Sequence, residues 1–407
     1  MLSVQQAETI ILQLVQTLDS QCDREWVSLE AAQGRLLAAA VQSDLDYPYW
    51  DNSAMDGYAV RSADLADCRP DCPVALTVVE EIPAGYCPAQ SLEPGQAARI
   101  FTGAMLPAGA DAIVIQEHTQ REGDRVSIAE CPDPGAWVRP RGDYYRAGSM
   151  LLACGTRLNA PEIAILATAQ CPSIPVYRQP VVSLLSTGNE LISPDQSLQL
   201  GQIVDSNQPA LAALVQQTGA KVHRLGIVPD RPSDLKAAIQ TAIAQSDLVI
   251  SSGGVSVGDY DYVDEILQEL GGTLHIQAVA VKPGKPLTVS TFPHPDPGCD
   301  RPILYFGLPG NPVSALVSFW RFVQPALRKL AGQTKAWGPT FIRARSCQTL
   351  KSDGKRETYL WGQLLLLPDG TWEFALSGGS HSSGNLINLA QTNGLAVLPC
   401  DRPWVEA

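Results

Sequence analysis

From Pro180 to about Leu330, strand-like and helix-like patterns alternate strictly, and no other feature constrains this chain as much. Val181 to Leu185, Lys221 to Leu225, Leu248 to Ser251, His275 to Val281 and Ile303 to Phe306 read as strands. Helical spacing falls near Pro209 to Gln217, Ser233 to Ala244, Tyr262 to Leu270 and Val313 to Leu330. That order predicts a doubly wound parallel sheet with ligands at the carboxyl ends of its strands. The ends are polar and glycine-rich. They read Ser186-Thr187-Gly188-Asn189-Glu190, Gly226-Ile227-Val228-Pro229-Asp230, Ser251 to Asp261, Lys282-Pro283-Gly284-Lys285-Pro286 and Gly307-Leu308-Pro309-Gly310-Asn311-Pro312.

The third end, Ser251-Ser252-Gly253-Gly254-Val255-Ser256-Val257-Gly258-Asp259-Tyr260-Asp261, reads as strand, glycine loop and helix start. Unpartnered amides at such a junction form a site for an anion, and the same composition also serves as a tight connection. Aspartates beside a phosphate need a divalent cation between them, usually magnesium. Together the strand ends carry Glu190, Asp230, Asp259 and Asp261 beside Lys282 and Lys285. Like charges gathered at one edge repel unless a cation or ligand separates them. This set suits a phosphorylated ligand, with lysines and amides on the oxyanions and carboxylates on magnesium.

The remaining chain has a different texture. Ser3 and Gln6 have capping-box spacing before an amphipathic helix, and a second short helix is expected from Ser28 to near Gly34. From Asp44 to Asp143, short alternating runs such as Leu76 to Val79 and Ala112 to Ile115 predict a β-rich module. Its polar islands are Asp51 to Val60, Arg99 to Ala104 and Arg139 to Asp143. Asp51 and Asp56 fit an Asx-stabilised turn, while Arg139 and Arg141 suit either a solvated loop or an oxyanion. Helical spacing returns at Pro161 to Ala167, so the β module reads as an insertion. After Gly332, strands are expected at Phe341 to Ala344, Thr358 to Leu367 and Ala396 to Leu398. The expected division is therefore 1–43 with 146–178 as a helical linker domain, 44–145 as the inserted module, 179–330 as the α/β domain and 331–407 as a small β-barrel-like domain.

A chain of 407 residues suggests two to four domains at about 150 residues each. Its formal charge of −13 argues against a broad nucleic-acid or anionic-membrane surface. Ten scattered cysteines lack the spacing of a disulfide framework or zinc site and suit a cytoplasmic protein. Residues 1 to 21 have neither the basic start of a signal peptide nor a continuous apolar span. Nothing pairs a histidine with a nucleophilic serine or cysteine for acyl transfer.

Six blocks in order, DNSAMDGYAV, RIFTGA, SSGGVSVGDYDY, KPGKP, GLPGNPVSA and GGSHSSGNLINLAQTNGLAVLP, resemble the molybdopterin molybdenumtransferase family, the MoeA proteins, related to the E domain of gephyrin. The resemblance runs from near residue 5 to beyond 400. It implies insertion of molybdate into adenylylated molybdopterin with release of AMP, and a divalent cation, magnesium first. It also implies a homodimer whose cleft lies between the α/β domain of one subunit and the β module of the other. A molybdopterin adenylyltransferase and molybdoenzyme acceptors would be its partners.

Carried onto this chain, the resemblance makes Asp56, Thr102, Glu190 and Asp261 the catalytic set, with Asp230, Asp261 and Glu190 toward the cation. Substrate contacts fall to Arg139, Ser251, Gly253, Gly254, Ser256, Gly258, Lys282, Lys285, Pro309, Gly310, Asn311, Pro312, Arg356 and Ser380. Three departures remove charge from the pocket's periphery. Tyr144 follows Gly142-Asp143 where the family carries a second acid, Ala278 replaces a lysine four residues before Lys282, and Trp361-Gly362 replaces an Arg-Gly pair. The alternatives are the adenylyltransferase of the same pathway, a gephyrin-like scaffold for a partner peptide, and a pterin-storage protein.

Overall fold

The alternation after Pro180 closes into a six-stranded sheet in the computed structural model, which describes residues 1–254 and 263–406. Its strands are β1 (Val181–Thr187), β2 (Lys221–Val228), β3 (Leu248–Ser252), β4 (Thr273–Ala278), β5 (Pro286–Phe292) and β6 (Ile303–Leu308). The spatial order is β2-β1-β3-β6-β5-β4, and β2, β1, β3 and β6 run parallel. The order reverses between β1 and β3, which is where doubly wound sheets open a crevice for ligands. β5 was not expected, and it pairs antiparallel with both β6 and β4. The sheet is therefore mixed, with a parallel four-stranded part carrying the first, second, third and fifth polar ends.

Helices cover the sheet because its apolar residues need partners on both faces. One layer packs Val182, Leu184, Leu248, Ile250, Leu304 and Phe306 with Leu211 and Val215 of the helix Asn207–Gln217 and with Phe319 and Phe322. The other packs Leu185, Val249 and Tyr305 with Leu235 and Ile239 of the helix Pro232–Gln245 and with Ile266 and Leu267 of Val263–Glu269. Each fully buried side chain of this size stabilises by roughly 1.5–3 kcal/mol.

By its contacts the chain divides into two units, Met1–Ala39 with Cys154–Asn159 and Ser173–Ala407, and Ala40–Ala153 with Ala160–Pro172. In the first, Ser3 and Gln6 do form a capping box on the helix Val4–Leu14. The expected helix from Ser28 does not form. Arg24–Ser28 is instead a strand paired with Ser173–Tyr177, and turns follow to Gly34, whose positive φ of 74° suits glycine. The expected strand at Phe341 to Ala344 is displaced to Arg345–Ser346. Glu357–Leu366 pairs with Trp372–Leu376 and Gly394–Leu398.

A polar clamp binds these distant segments together. Arg321, 7% exposed, donates to both carboxylate oxygens of Glu8 at 2.7 and 2.8 Å and to the Tyr359 hydroxyl at 3.0 Å. Tyr359 in turn donates to Glu357 at 2.5 Å, and burial pushes its phenol above the usual range.

The second unit carries its own six-stranded sheet, with Ala112–Ile115, Gly57–Val60, Gln96–Ile100, Val74–Ile82, Arg125–Ile128 and Thr119–Glu122 side by side. Tyr58, Val60, Leu76, Ala97, Val114 and Val126 fill one of its cores. Among the described residues no helix is long and apolar enough to cross a membrane.

Candidate functional site

A cleft of about 960 Å³ opens at the strand ends of the first unit. β1 contributes Thr187, Gly188 and Glu190, β2 contributes Asp230, β3 contributes Ser252, Gly253 and Gly254, and β6 contributes Pro309, Gly310, Asn311 and Pro312. Lys282, Lys285, Arg356, Trp361 and His381 complete much of its wall. Eleven residues named from sequence meet here, namely Glu190, Asp230, Gly253, Gly254, Lys282, Lys285, Pro309, Gly310, Asn311, Pro312 and Arg356.

Glycine is required where backbones approach closely. At Gly253, with φ of 95°, a Cβ would stand 2.3 Å from the Thr187 carbonyl oxygen. That contact is backbone to backbone and cannot be relieved by a rotamer change. Gly253 N–H donates to the Leu308 carbonyl at 3.1 Å, which fixes the loop between β1 and β6.

Asp230 is oriented by its neighbours. The Thr187 hydroxyl and the Asn189 amide, at 3.2 Å, donate to its two carboxylate oxygens, and the Asp230 amide returns a bond to the Asn189 side chain at 3.2 Å. Glu190 is exposed, and its carboxylate lies back over Gly188, where a Cβ would meet it at 2.8 and 2.9 Å. These are hard oxygen donors, suited to magnesium. No group of three or more His, Cys, Asp or Glu side chains placed for a metal occurs among the described residues. Among the described residues the donor set fits magnesium held by one or two carboxylates and substrate oxygens.

The basic side is held by an acid that sequence reasoning missed. Val281–Lys282 pairs with Glu357–Thr358, which brings Lys282 beside Arg356. Asp353 accepts from Lys282 at 3.3 Å and from Arg356 at 3.1 Å. The Lys355 amide, and after it these two cations, hold the Asp353 carboxyl down at about 2. Lys285 is exposed in the cleft.

Asp205 and Asn207 were also missed. Asp205 accepts from the amides of Asn207 and Gln208 at 3.0 and 3.1 Å and so caps their helix. Asn207 donates to the Ser252 hydroxyl at 2.6 Å and to the Gly310 carbonyl at 2.8 Å, bracing two cleft loops. An Asp-Ser-Asn run before a helical pattern is the signal that was available.

Other expected contacts fall elsewhere. Ser251 is buried and accepts from the Tyr305 hydroxyl at 2.6 Å, so Ser252 faces the cleft instead. Ser380 uses its carbonyl to accept from Asn385 and Asn388, while His381, Ser383 and Gly384 line the wall. Trp361 is 1% exposed and lies tilted against His381, with ring centroids 4.8 Å apart, so an aromatic pair forms part of the wall. Ser256, Gly258, Asp259 and Asp261 lie outside the described residues.

In the second unit, Asp56 and Thr102 do meet. The Thr102 amide and hydroxyl both donate to one Asp56 carboxylate oxygen at 2.8 Å, and the amide above all holds that carboxyl below its usual range. Arg99 lies over the rings of Tyr58 and Phe101 at 5.1 and 4.9 Å and adds to the effect. Arg139 pairs through its backbone with Asn52, and Arg141 is tied to Asp46 at 2.6 Å. Tyr144 is exposed beside Tyr47.

A sheet of this order with a polar cleft at its switch point defines a doubly wound ligand-binding protein, and residues 183–329 match the family described as a probable molybdopterin binding domain. Residues 2–169 match the MoeA N-terminal region (domain I and II), and residues 343–407 match the MoeA C-terminal region (domain IV). A molybdopterin molybdenumtransferase of Nostoc sp. is 59% identical over 405 residues, covering 100% of this chain and 92% of the relative. One from Haemophilus influenzae is 35% identical over 411 residues, covering 100% and 96%. The crystal structure of a molybdopterin biosynthesis MoeA protein from Pyrococcus horikoshii OT3 superposes with a TM-score of 0.83 at 27% identity, covering 100% of this chain and 97% of that one. The chain belongs to the molybdopterin molybdenumtransferase family, the MoeA proteins.

Proposed function

We propose that this enzyme inserts molybdenum from molybdate into adenylylated molybdopterin and releases AMP. The observation that carries the reading is the full-length relation at 59% identity, joined to a cleft that gathers lysines and carboxylates at one edge of the sheet. Lys282, Lys285 and Arg356 bind oxyanions of the pyrophosphate and of molybdate. Asp230 and Glu190 would hold the cation, together with Asp261, which lies outside the described residues. Magnesium, when bound, would polarise the anhydride and spread its developing charge. Gly253, Gly254 and the Pro309–Pro312 loop admit the ligand close to the backbone.

Incubation with adenylylated molybdopterin, molybdate and magnesium is expected to yield AMP together with active cofactor. AMP no higher than in the enzyme-free control would sink the transferase reading. Formation of adenylylated molybdopterin from ATP would instead mark the adenylyltransferase.

The Asp56–Thr102 pair completes the site from the second copy in a homodimer. Asp56→Asn and Lys285→Ala proteins, each inactive alone, should regain roughly a quarter of wild-type activity after subunits are mixed at random, because half the sites in mixed dimers are intact. Absence of recovery in verified mixed dimers would place both halves of the site in one chain.

A further inference from the structure

Away from the strand-end cleft, the first unit holds a second cavity of about 300 Å³. Arg157 and Arg328 line it with Gln217, Thr218, Gln324 and Gln333, and none of its lining residues is acidic. In a chain with a net charge of −13, two guanidiniums facing one cavity without a carboxylate are an unusual concentration of positive charge. Among the described residues neither arginine forms an ion pair. Arg157 donates to the Gly34 carbonyl at 2.9 Å, and Arg328 to the carbonyls of Trp337 and Gly338 at 3.0 and 3.2 Å. Carbonyls satisfy N–H donors but cancel no net charge, so the repulsion between the two cations persists. Burial lowers the Arg328 pKa, and the neighbouring Arg157 lowers it further.

The cavity wall is also fixed in place. Gln333 donates to the carbonyls of Lys335 and Ala336 at 2.7 and 3.0 Å, and the Trp337 indole donates to the Gln333 carbonyl. Lys329, next to Arg328, lies over the Trp337 ring at 5.3 Å and donates to the Leu12 carbonyl at 2.6 Å. The turn that seats Arg328 is thus built from both sides. The volume exceeds the roughly 30 Å³ of one water several-fold, so it admits an anion with part of its hydration shell.

We propose that this cavity is a second oxyanion site, taking a small tetrahedral dianion such as phosphate, sulfate or molybdate against Arg157 and Arg328. Planar guanidinium forks match the oxygens of such ions, and the amides of Gln217 and Gln324 supply further donors.

Calorimetric titration of the full chain with inorganic phosphate, sulfate and molybdate, at ionic strength held constant with chloride, tests the site. Lys282→Ala/Lys285→Ala protein should retain binding, and Arg157→Gln should weaken it about tenfold while leaving AMP release unchanged. Much tighter binding of molybdate would assign the site to the substrate oxyanion, and much tighter binding of phosphate would assign it to phosphate. Loss of all binding in the double lysine variant, or unchanged binding in Arg157→Gln, would overturn the proposal. Should Arg157→Gln fail to fold, wild-type crystals soaked in tungstate decide the matter: an anomalous peak beside Arg328 supports the site, and a peak confined to the strand-end cleft refutes it.

Discussion

Lys285→Ala should lower molybdate-dependent AMP release by about 10²–10³-fold, the scale seen when one preorganised donor to a developing oxyanion is removed. The two lysines of the fourth strand-end loop are not equivalent. Lys282 shares Asp353 with Arg356, so part of its charge is already neutralised and its position is fixed. Lys285 is exposed in the cleft and forms no ion pair among the described residues, which leaves its full charge for the substrate. Lys282→Ala should therefore cost less than Lys285→Ala. Thermal midpoints measured beside the assay separate chemistry from folding, because an exposed side chain away from special backbone geometry changes stability by only about 0.5 kcal/mol. Equal losses from both lysines would contradict the division of labour, and a loss below threefold at Lys285 would remove it from the site.

The loops bearing these groups were legible in sequence because alternation and glycine placement encode strand ends directly. Capping at Ser3 and Gln6 was legible for the same local reason. What escaped depends on contacts between distant residues. Whether Ser251 or Ser252 faces the cleft is set by strand register, since adjacent residues point to opposite faces. Asp353 reaches Lys282 only through pairing of Val281–Lys282 with Glu357–Thr358. β5 begins at a proline and carries buried Thr288 and Ser290, which weaken the apolar signal of a core strand. Ser28 and Gly34 imitate helix boundaries, but backbone pairing across to Ser173–Tyr177 prevails over local propensity.

Asp247→Ala should destabilise the first unit by up to about 3–5 kcal/mol, because it leaves the buried Arg301 and the half-buried Arg178 to share Asp23 as counter-charge. Asp247, 4% exposed, accepts from Arg178 through both carboxylate oxygens at 2.7 Å, from Arg301 at 2.7 Å and from the Val181 amide at 2.8 Å. Arg178 also binds Asp23 at 2.7 Å, which extends the network into the N-terminal segment. Burial alone would raise the Asp247 carboxyl, but the two arginines and the amide outweigh it and hold the value at about 2, below the ordinary 3.8. A depressed folded-state value stabilises above the unfolded pKa. Protonation should therefore remove about 2.5 kcal/mol progressively as pH falls from about 5 to about 1, and no loss from this group is expected between pH 5 and 8. Urea midpoints across that range should fall at the acid end in the wild type, with the Asp247→Ala protein starting lower and falling less. Asp247 precedes β3 and holds the amide that begins β1, so the network lies at the opposite strand ends from Gly253 and Asp230. Below its lowered unfolding temperature, Asp247→Ala should retain wild-type AMP release per folded molecule, whereas Lys285→Ala should lose activity while remaining folded. Parallel loss of activity and stability in the Asp247 variant would show that the far end of the sheet also sets the geometry of the cleft.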